Sequence, residues 1–451
     1  MIITAASNGP GKPRATLVQG LFWTGIYLAL VVAPLMVLLA GTPPASRGFW
    51  RELSAALGYA GMAMLGVQFA LTARFRHAAA PFGVDMLYYF HRTVSLMAAV
   101  IIAAHVSILF SIDPRNLALL NILHAPWRAR AAIVAFTGLL VLLTASLFRR
   151  QIGISYEGWR RWHGTLAIAT VVLALVHVEL VSHYIETPWK RILWTGYSIF
   201  WTGLLVHVRI VRPWSQLRHP YVVESVLPER GSAWTVSIRP EGHHGFTFQP
   251  GQFAWLTAWN SPFAVEEHPF SFSSSAKQNT GLAFTIKELG DFTRRVRDMV
   301  PGQRVFLDGP YGAFSIDRHF APGYVFIAGG VGITPMMSML LTLADRGDRR
   351  PLHLFYANKL WEEVTFREEI EALQTRLRLS VIHALEAPPA GWTGESGFVT
   401  RQVLDRWLPA ERQSLEYFVC GPYPMREAVE KELYRLGVPL ARVHAERFNL
   451  V

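Results

Sequence analysis

Six apolar stretches, all within the first 211 residues, constrain the fold of this chain more than any other feature. Each is close to the roughly 20 residues that an α-helix needs to cross a bilayer. They cover approximately residues 17–40, 54–73, 87–111, 131–148, 163–183 and 191–211. Residues 1–16 are predicted to form a disordered N-terminal tail, and the stretch that follows is too long for a signal-peptide core. We therefore predict a six-helix transmembrane bundle over residues 17–212 of an integral membrane protein that contacts lipid.

The charge distribution separates two halves of the 451-residue chain. Only 17% of the residues are charged, whereas soluble domains have about 25%. Residues 1–212 contain 18 Lys and Arg against 6 Asp and Glu, while residues 213–451 contain 25 against 26. The basic excess therefore lies between the apolar stretches, which fits membrane loops and argues against nucleic acid as a partner. The single cysteine excludes a disulfide scaffold and a Cys₄ metal or iron–sulfur site.

The same basic residues predict an orientation. With the N-terminus inside, eleven Lys and Arg lie in inner segments and seven in outer loops, as the positive-inside rule favours. Six spans then place the C-terminal half in the cytoplasm as well. The short loops are typical of a protein of the bacterial inner (plasma) membrane.

Four histidines in two of the apolar stretches form a regular pattern. His91 and His105 lie in the third stretch, and His163 and His177 lie in the fifth. Fourteen residues bring a helix to within about 40° of a whole number of turns and advance it by about 21 Å, so each pair shares a helix face. Because the third and fifth spans run in the same direction, His91 can face His163 at one depth and His105 can face His177 at another. Facing imidazoles suit axial haem ligands, so we predict that these four residues bind the iron of two b-type haems.

Other interpretations of these membrane histidines are open. A lone histidine in a span is more often a polar packing residue or part of a proton path, and a transport or zinc site is a further alternative. Four histidines at two depths would be an unusual single zinc site, however, because the ligands must converge within bond length of one ion. Arg92 and Arg160 neighbour the first histidine pair and could contact haem propionates, although the positive-inside rule explains them equally well.

The second half of the chain has a different pattern. After about residue 213, short β-type runs are separated by Gly, Pro and Ser, which predicts an antiparallel β-barrel domain over residues 213–318. From residue 324, strand, glycine turn, helix and strand alternate, which predicts an α/β domain over residues 319–451. The expected fold class is therefore multi-domain, a transmembrane bundle followed by a barrel and an α/β nucleotide-binding domain.

A series of short motifs follows in a fixed order. Each is weak evidence alone, because a glycine turn can bind a pyrophosphate through its N–H groups but also occurs in other α/β turns. A lone cysteine, likewise, is usually a small buried hydrophobic residue. In chain order the motifs are His268-Pro269-Phe270-Ser271, Lys287, Gly290-Asp291-Phe292-Thr293, Gly329-Gly330-Val331-Gly332-Ile333-Thr334-Pro335, Cys420-Gly421-Pro422 and Phe448.

That ordered series resembles the ferredoxin–NADP reductase superfamily. Together with the four-histidine half, the chain resembles the ferric reductase and NADPH oxidase family over about residues 50–451. The resemblance implies that FAD binds at His268–Ser271, Lys287 and Gly290–Thr293, and that Gly329–Pro335 binds the pyrophosphate of NADPH or NADH. It places Cys420-Gly421-Pro422 beside the nicotinamide and Phe448 over the flavin ring, so that Ser271, Cys420 and Phe448 flank the hydride transfer.

The resemblance also implies the function. Electrons would pass from cytoplasmic NAD(P)H through FAD and two haems to an acceptor on the outer side. Oxygen is the expected acceptor, as in a superoxide-producing NADPH oxidase, and a ferric chelate or a periplasmic redox partner are the alternatives. A transporter or channel with a regulatory nucleotide-binding domain is the alternative of another class, and it would lack haem and flavin absorbance.

The nicotinamide nucleotide is expected to be NADPH. The second strand of the α/β domain ends in Ala357-Asn358-Lys359, and Arg367 follows nearby. A cation there suits the 2′-phosphate of NADPH, whereas an NADH site usually has an acidic residue that holds the ribose. No feature of the sequence identifies an obligate protein partner.

Overall fold

A computed structural model describes residues 13–41, 45–73, 83–264, 266–277 and 281–446. The chain divides into two compact units, Leu17–Pro213 and a second unit that begins at Trp214. The division falls where the apolar stretches end.

The first unit is helical. Among the described residues, its first five long helices are long and apolar enough to cross a membrane. The last has 19 residues, begins with Lys190 and Arg191 in its first turn, and is not among those five. The first begins at Pro13, inside the predicted N-terminal tail. The long helices are α1 (Pro13–Leu39), α2 (Phe49–Thr72), α3 (Gly83–Ile112), α4 (Trp127–Leu147), α5 (Tyr156–Val181) and α6 (Pro188–Val206).

Helix packing in this unit follows membrane rules. Helix α2 packs along α3, and α4 packs along α5. The buried residues of α4 are mostly small, since four of the six are Ala129, Ala131, Ala135 and Gly138, and small residues allow membrane helices to approach closely. Its large residues Val134, Leu140 and Val141 are 43–50% exposed, as expected for side chains that contact lipid tails.

Lys190 is a buried cation in α6. Its Nζ donates to the carbonyl oxygen of Leu38 at 2.7 Å, and the residue is 2% exposed. Because a hydrogen bond from a charged group contributes about 1.5–3 kcal/mol, we expect Lys190→Met to lower the free energy of unfolding by about that amount. Thermal unfolding of the detergent-solubilised protein measures the change. The matched control is Arg191→Met, whose side chain is 55% exposed, and equal losses in both variants would contradict the expectation.

The second unit contains two six-stranded sheets, of which the first is antiparallel. Its strands follow the order β4-β3-β6-β1-β2-β5. The edge strands β4 and β5 approach each other at one antiparallel bridge between Phe272 and Phe284, where Ser273 N donates to Ala283 O at 2.8 Å. Buried aromatic and aliphatic side chains of this sheet pack together into one apolar core. The strands are β1 (Tyr221–Glu229), β2 (Ala233–Pro240), β3 (Phe253–Ala258), β4 (His268–Ser271), β5 (Leu282–Lys287) and β6 (Arg304–Tyr311).

The second sheet is parallel and follows the order β10-β9-β8-β7-β11-β12. All six residues of β7 are buried, because apolar clusters cover both faces of the sheet, as is usual for a parallel sheet. The carboxyl ends of its central strands form the edge at which nucleotides bind in such folds. The strands are β7 (Tyr324–Gly329), β8 (Leu352–Asn358), β9 (Leu379–Leu385), β10 (Glu395–Ser396), β11 (Glu416–Cys420) and β12 (Val443–Glu446).

Short crossover connections complete this α/β arrangement. The short helix α7 (Asp291–Arg294) follows β5, helix α8 (Ile333–Asp345) follows β7, and helix α9 (Arg367–Arg376) follows β8. The strand–glycine turn–helix prediction is therefore met at residues 324–345.

Candidate functional site

The first histidine pair consists of His91 on α3 and His163 on α5. Their ring centres lie 6.3 Å apart, with an angle of 76° between the ring planes. Two metal–nitrogen bonds of about 2.0–2.1 Å, plus about 1.1 Å from each nitrogen to its ring centre, span roughly 6.3 Å. The spacing therefore matches two imidazoles on opposite sides of one iron atom.

The second histidine pair consists of His105 and His177 on the same two helices. Both residues are half-buried, and they lie close enough to interact electrostatically. The structure thus brings the four predicted histidines together as two pairs, as the spacing of 14 residues required. Their role as iron ligands stays a prediction.

The hydrogen bonds of the second pair determine which ring nitrogen carries the proton. His105 Nδ1 lies 2.7 Å from the carbonyl oxygen of Ser54, and His177 Nδ1 lies 2.8 Å from that of Arg128. A carbonyl oxygen only accepts, so both Nδ1 atoms must donate. In a neutral imidazole the lone pair is then on Nε2, the atom left to bind a metal.

The first pair has the same arrangement. His91 Nδ1 donates to Gln68 Oε1 at 2.7 Å. His163 Nδ1 donates to Ser146 Oγ at 3.2 Å, while the Ser146 hydroxyl donates to the carbonyl oxygen of Leu142 at 2.6 Å. Metal-binding histidines typically donate their second ring N–H to such a partner, which fixes the ring. The donor set of all four histidines therefore fits two bis-histidine haems.

Gln68 orients the His91 ring through this hydrogen bond and would be a positioning residue for an iron bound there. Removing a hydrogen-bond partner of a metal-binding histidine typically weakens metal affinity by about 10–100-fold. We expect Gln68→Leu to lower the occupancy of one haem and to shift its midpoint potential, measured by haem assay and spectroelectrochemical titration. The control is Gln151→Leu at an exposed glutamine, and an unchanged potential in Gln68→Leu would contradict the positioning role.

Arg209 was not predicted as a site residue. It lies in a π-helical turn, His207–Val211, that follows α6. Its guanidinium packs against Gly164, so closely that a Cβ there would overlap Nη2, and it interacts electrostatically with His163. In sequence Arg209 was only one of the inner basic residues, and the π-turn that aims it cannot be read from a periodicity. The two arginines predicted to contact the propionates differ in exposure: Arg92 is exposed, whereas Arg160 is half-buried.

The predicted flavin motif is strand β4. His268 and Phe270 alternate on the strand and both contact Phe292, with ring centres 4.0 Å and 5.9 Å apart. Pro269 pairs with Trp255 of β3. Ser271 is buried, and its hydroxyl has no hydrogen-bond partner among the described residues. A buried unpaired hydroxyl is uncommon, and it fits a ligand such as the edge of a flavin.

The second flavin segment adjoins the first through Phe292. Lys287 ends β5, and a short helical turn over Asp291–Arg294 follows. The Thr293 hydroxyl accepts from the backbone N–H of Leu289 and of Gly290, both at 2.8 Å. The two predicted segments thus lie side by side, as one FAD molecule would require.

The glycine turn and the Cys420-Gly421-Pro422 segment are in direct backbone contact. Gly329 ends β7, and residues Gly330–Gly332 form one turn before α8. A Cβ at Gly332 would lie 2.7 Å from the carbonyl carbon of Cys420 and 3.0 Å from Gly421 N, so only glycine fits. The Thr334 hydroxyl donates to Val331 O at 2.8 Å and closes the turn. This cradle leaves N–H groups at the start of α8 for a pyrophosphate.

Cys420 lies at the carboxyl end of β11 and is fully buried. Burial raises the pKa of its thiol, so the side chain is a neutral thiol at physiological pH. Cys420 is therefore suited to packing against a ring rather than to nucleophilic chemistry. Phe448, the predicted flavin cover, lies outside the described residues.

Three family profiles match the chain. The Ferric reductase like transmembrane component matches residues 57–174, the FAD-binding domain residues 235–315 and the Oxidoreductase NAD-binding domain residues 326–431. The chain has the domain composition of the ferric reductase and NADPH oxidase family. The predicted family resemblance is thereby confirmed. The transmembrane match of this ferric reductase-like protein contains His91, His105 and His163.

Individual relatives match part of the chain. NADH-cytochrome b5 reductase 1 of Cryptococcus neoformans is 34% identical over 176 residues, which cover 37% of this chain and 60% of that protein. Stachydrine N-demethylase reductase subunit Stc4 of Rhizobium meliloti is 30% identical over 228 residues, covering 49% and 64%. The chain thus spans about three-fifths of the length of these relatives. Among solved structures, the ferredoxin reductase in carbazole 1,9a-dioxygenase is 25% identical with a TM-score of 0.45, covering 51% of this chain and 69% of that chain.

Proposed function

We propose that the protein is a transmembrane oxidoreductase that conducts electrons from cytoplasmic NAD(P)H to an acceptor on the outer side. The observation that carries the proposal is the set of four membrane histidines, paired at two levels with every Nδ1 engaged. The two levels are about 21 Å apart along α3, which is most of the ~30 Å hydrocarbon thickness.

The division of labour follows from cofactor chemistry. When bound, FAD would link a two-electron hydride transfer to the single electrons that a haem can carry. The chain's residues hold these groups in sequence. The Gly329–Gly332 turn binds the nucleotide. Strand β4 and the Gly290–Thr293 segment bind FAD, and the histidine pairs bind iron. No acid–base pair is needed for this transfer, so the contribution of the protein is spacing, orientation and exclusion of water.

We also propose that α6 is a sixth span and that the antiparallel sheet is a closed barrel. Helix α6 has 19 residues, about 28 Å in length, and its Tyr197 hydroxyl donates to Leu30 O of α1 at 3.2 Å. Its two basic residues lie in the first turn, where Lys190 bonds to the last turn of α1 and the exposed Arg191 can reach the membrane interface. The Phe272–Phe284 bridge favours closure of the barrel. Six spans and the basic-residue bias together favour cytoplasmic C-terminal domains in a bacterial inner membrane.

Arg209 is our proposed propionate partner at the first histidine pair. Its guanidinium lies against Gly164, next to His163, and a haem propionate is an anion that pairs well with an arginine fork. Arg160, one helical turn before His163, is a second candidate. Arg92 is exposed and is the weakest of the three.

Oxygen is the acceptor that we propose, so that the product is superoxide. His105 and His177 are half-buried, which favours a small diffusing acceptor over a bulky one. A ferric chelate is the second candidate, because only residues 182–187 connect α5 to α6 and this short connection leaves that end of the bundle uncovered. A periplasmic redox partner would use the same opening.

Sealed proteoliposomes test the direction of transfer and the acceptor together. NADPH is added outside, and cytochrome c is trapped inside, so that only electrons that cross the bilayer reduce it. Reduction that co-trapped superoxide dismutase abolishes supports oxygen as the acceptor. Anaerobic reduction of trapped ferric citrate, without a dismutase-sensitive signal, supports the ferric reductase alternative. NADPH oxidation with no reduction of either trapped acceptor would contradict transmembrane transfer.

Nucleotide preference has its own test at Arg367. The Arg367 guanidinium lies over the Trp361 ring, 4.8 Å from its centre, and its side chain is only 19% exposed. Because an arginine after the second strand accommodates the 2′-phosphate, we expect Arg367→Met to lower kcat/KM for NADPH by about tenfold, or 1.4 kcal/mol. The value for NADH should change little. A loss of equal size with both nucleotides would contradict 2′-phosphate recognition.

A further inference from the structure

We propose that His319, Glu416 and His444 bind one divalent transition-metal ion, of the Zn²⁺ class, at a site separate from the flavin, nucleotide and haem sites. One potential ligand atom from each residue lies within 4.8 Å of the others. The three residues do not form a sequence motif, and only the fold brings them close together.

The parallel sheet and one connection position these side chains. Glu416 opens β11, and His444 lies in β12 opposite Phe418 in the register. His319 lies in the connection between β6 and β7, where its carbonyl oxygen accepts from the Tyr324 hydroxyl at 2.8 Å. The rings of His319 and His444 stack with centres 3.6 Å apart. Because an imidazole lone pair lies in the ring plane, the His319 ring must turn out of this stack for its nitrogen to reach an ion beside Glu416 Oε2.

The donor set suits zinc. His444 Nε2 lies 2.6 Å from Glu416 Oε2, while Arg442 donates to the other oxygen, Oε1, at 2.9 Å. The ring nitrogens of His319 make no hydrogen bond to any residue in the described part of the chain. An ion beside Oε2 would therefore take the place of the His444 proton and give His319 a partner. Two imidazoles and one carboxylate, with a fourth position for water, is a recurring zinc ligand set.

The surrounding charges narrow the class of ion. Arg442 already pairs with Glu416 Oε1 at 2.9 Å, so the one carboxylate of the site has only Oε2 left for an ion. Calcium and magnesium require several oxygen ligands and would bind poorly here. Imidazole nitrogen instead favours zinc, nickel or copper.

The location indicates what the ion would do. Glu416 and Cys420 are the two ends of β11, about 13 Å apart at 3.3 Å per residue, so the ion would not touch the nicotinamide. It would join the β6–β7 connection, which links the antiparallel sheet to the parallel sheet, to strands β11 and β12. We therefore expect the ion to stabilise this unit rather than to take part in electron transfer.

Zinc titration of the full-length protein, loaded with haem and FAD and stripped with EDTA, tests the proposal. A chromogenic zinc indicator competes for the ion, and wild type is compared with His319→Asn, His444→Gln and the control His353→Asn on β8 of the same sheet. Loss of a hydrogen-bond partner of a metal ligand alone lowers metal affinity by about 10–100-fold. Loss of a ligand itself should therefore lower the affinity for one zinc equivalent by about 100-fold or more. Wild type and the control should both retain that equivalent.

A second measurement distinguishes loss of the metal site from misfolding of a variant. Bound Zn²⁺ should raise the temperature of FAD release in wild type and in His353→Asn, but not in His319→Asn. If His444→Gln loses FAD, the His319→Asn comparison decides, since this histidine lies in a connection. Equal zinc stoichiometry in wild type and in His319→Asn, or no bound equivalent in wild type, would overturn the proposal.

Discussion

His163→Ala should retain one haem per chain, where the proposed assignment gives the wild-type protein two. The substitution removes one side of the first histidine pair, whose ring centres are 6.3 Å apart, and a single imidazole cannot complete a bis-histidine site. Cytochrome c reduction should fall by about 100-fold or more, because the shortest electron path is interrupted. Reduction of ferricyanide by NADPH should persist, since it needs only the FAD and nucleotide half. Haem assay normalised to FAD measures the first change.

His124→Ala is the matched control for this variant. His124 is exposed in the connection between α3 and α4, so its loss should leave two haems and full activity. Two haems in purified His163→Ala would contradict the ligand assignment.

The same experiment establishes the order of the two sites. His177→Ala should lose the haem of the second pair, and NADPH should still reduce the remaining haem rapidly under anaerobic conditions. His163→Ala should leave a haem that NADPH reduces slowly, because that haem lies about 21 Å further along α3. The opposite pattern would mean that electrons enter at the His105 and His177 level, and the proposed orientation would be wrong.

Gly332→Ala should raise KM for NADPH by about tenfold or more, equivalent to at least 1.4 kcal/mol of binding free energy. The added Cβ would lie 2.7 Å from the Cys420 carbonyl carbon, so the glycine turn must move away from the Cys420-Gly421-Pro422 segment. The pyrophosphate cradle and the nicotinamide position then change together. FAD and haem contents should be unchanged, because neither site includes this contact.

Gly281→Ala is the control for the glycine variant. A Cβ at Gly281 would have only Glu224 Oε2 near it, at 4.0 Å, so KM should stay at the wild-type value. Steady-state NADPH oxidation with ferricyanide as acceptor gives both constants without involving the membrane half. A wild-type KM in Gly332→Ala would show that the turn does not bind the nucleotide.

Local sequence patterns predicted the elements that depend on local physics. The spacing of 14 residues places His91 and His105 on one face of α3 whatever the rest of the fold, and the glycine turn after β7 follows from a buried strand and a helix start. Strand β12 was not predicted, because its four residues Val443–Glu446 are all half-buried and show no alternation. It is defined by its pairing with β11.

The supporting residues of the sites could not be predicted in this way. Gln68, Ser54 and Arg128 contact histidines on other helices, and no periodicity links residues on different elements. Arg209, in the π-turn after α6, packs against Gly164 of α5. Such contacts result from tertiary packing, so a sequence identifies the ligands of a site more readily than the residues that orient them.

An anaerobic absorbance spectrum of the purified protein, before and after NADPH, is the most direct test of haem binding by the membrane histidines. We expect flavin absorbance together with two b-type haems per FAD, and NADPH should reduce both haems at a rate compatible with turnover. A protein that contains FAD but no haem band would contradict the assignment of His91, His105, His163 and His177. Haem that dithionite reduces but NADPH does not would contradict the electron path.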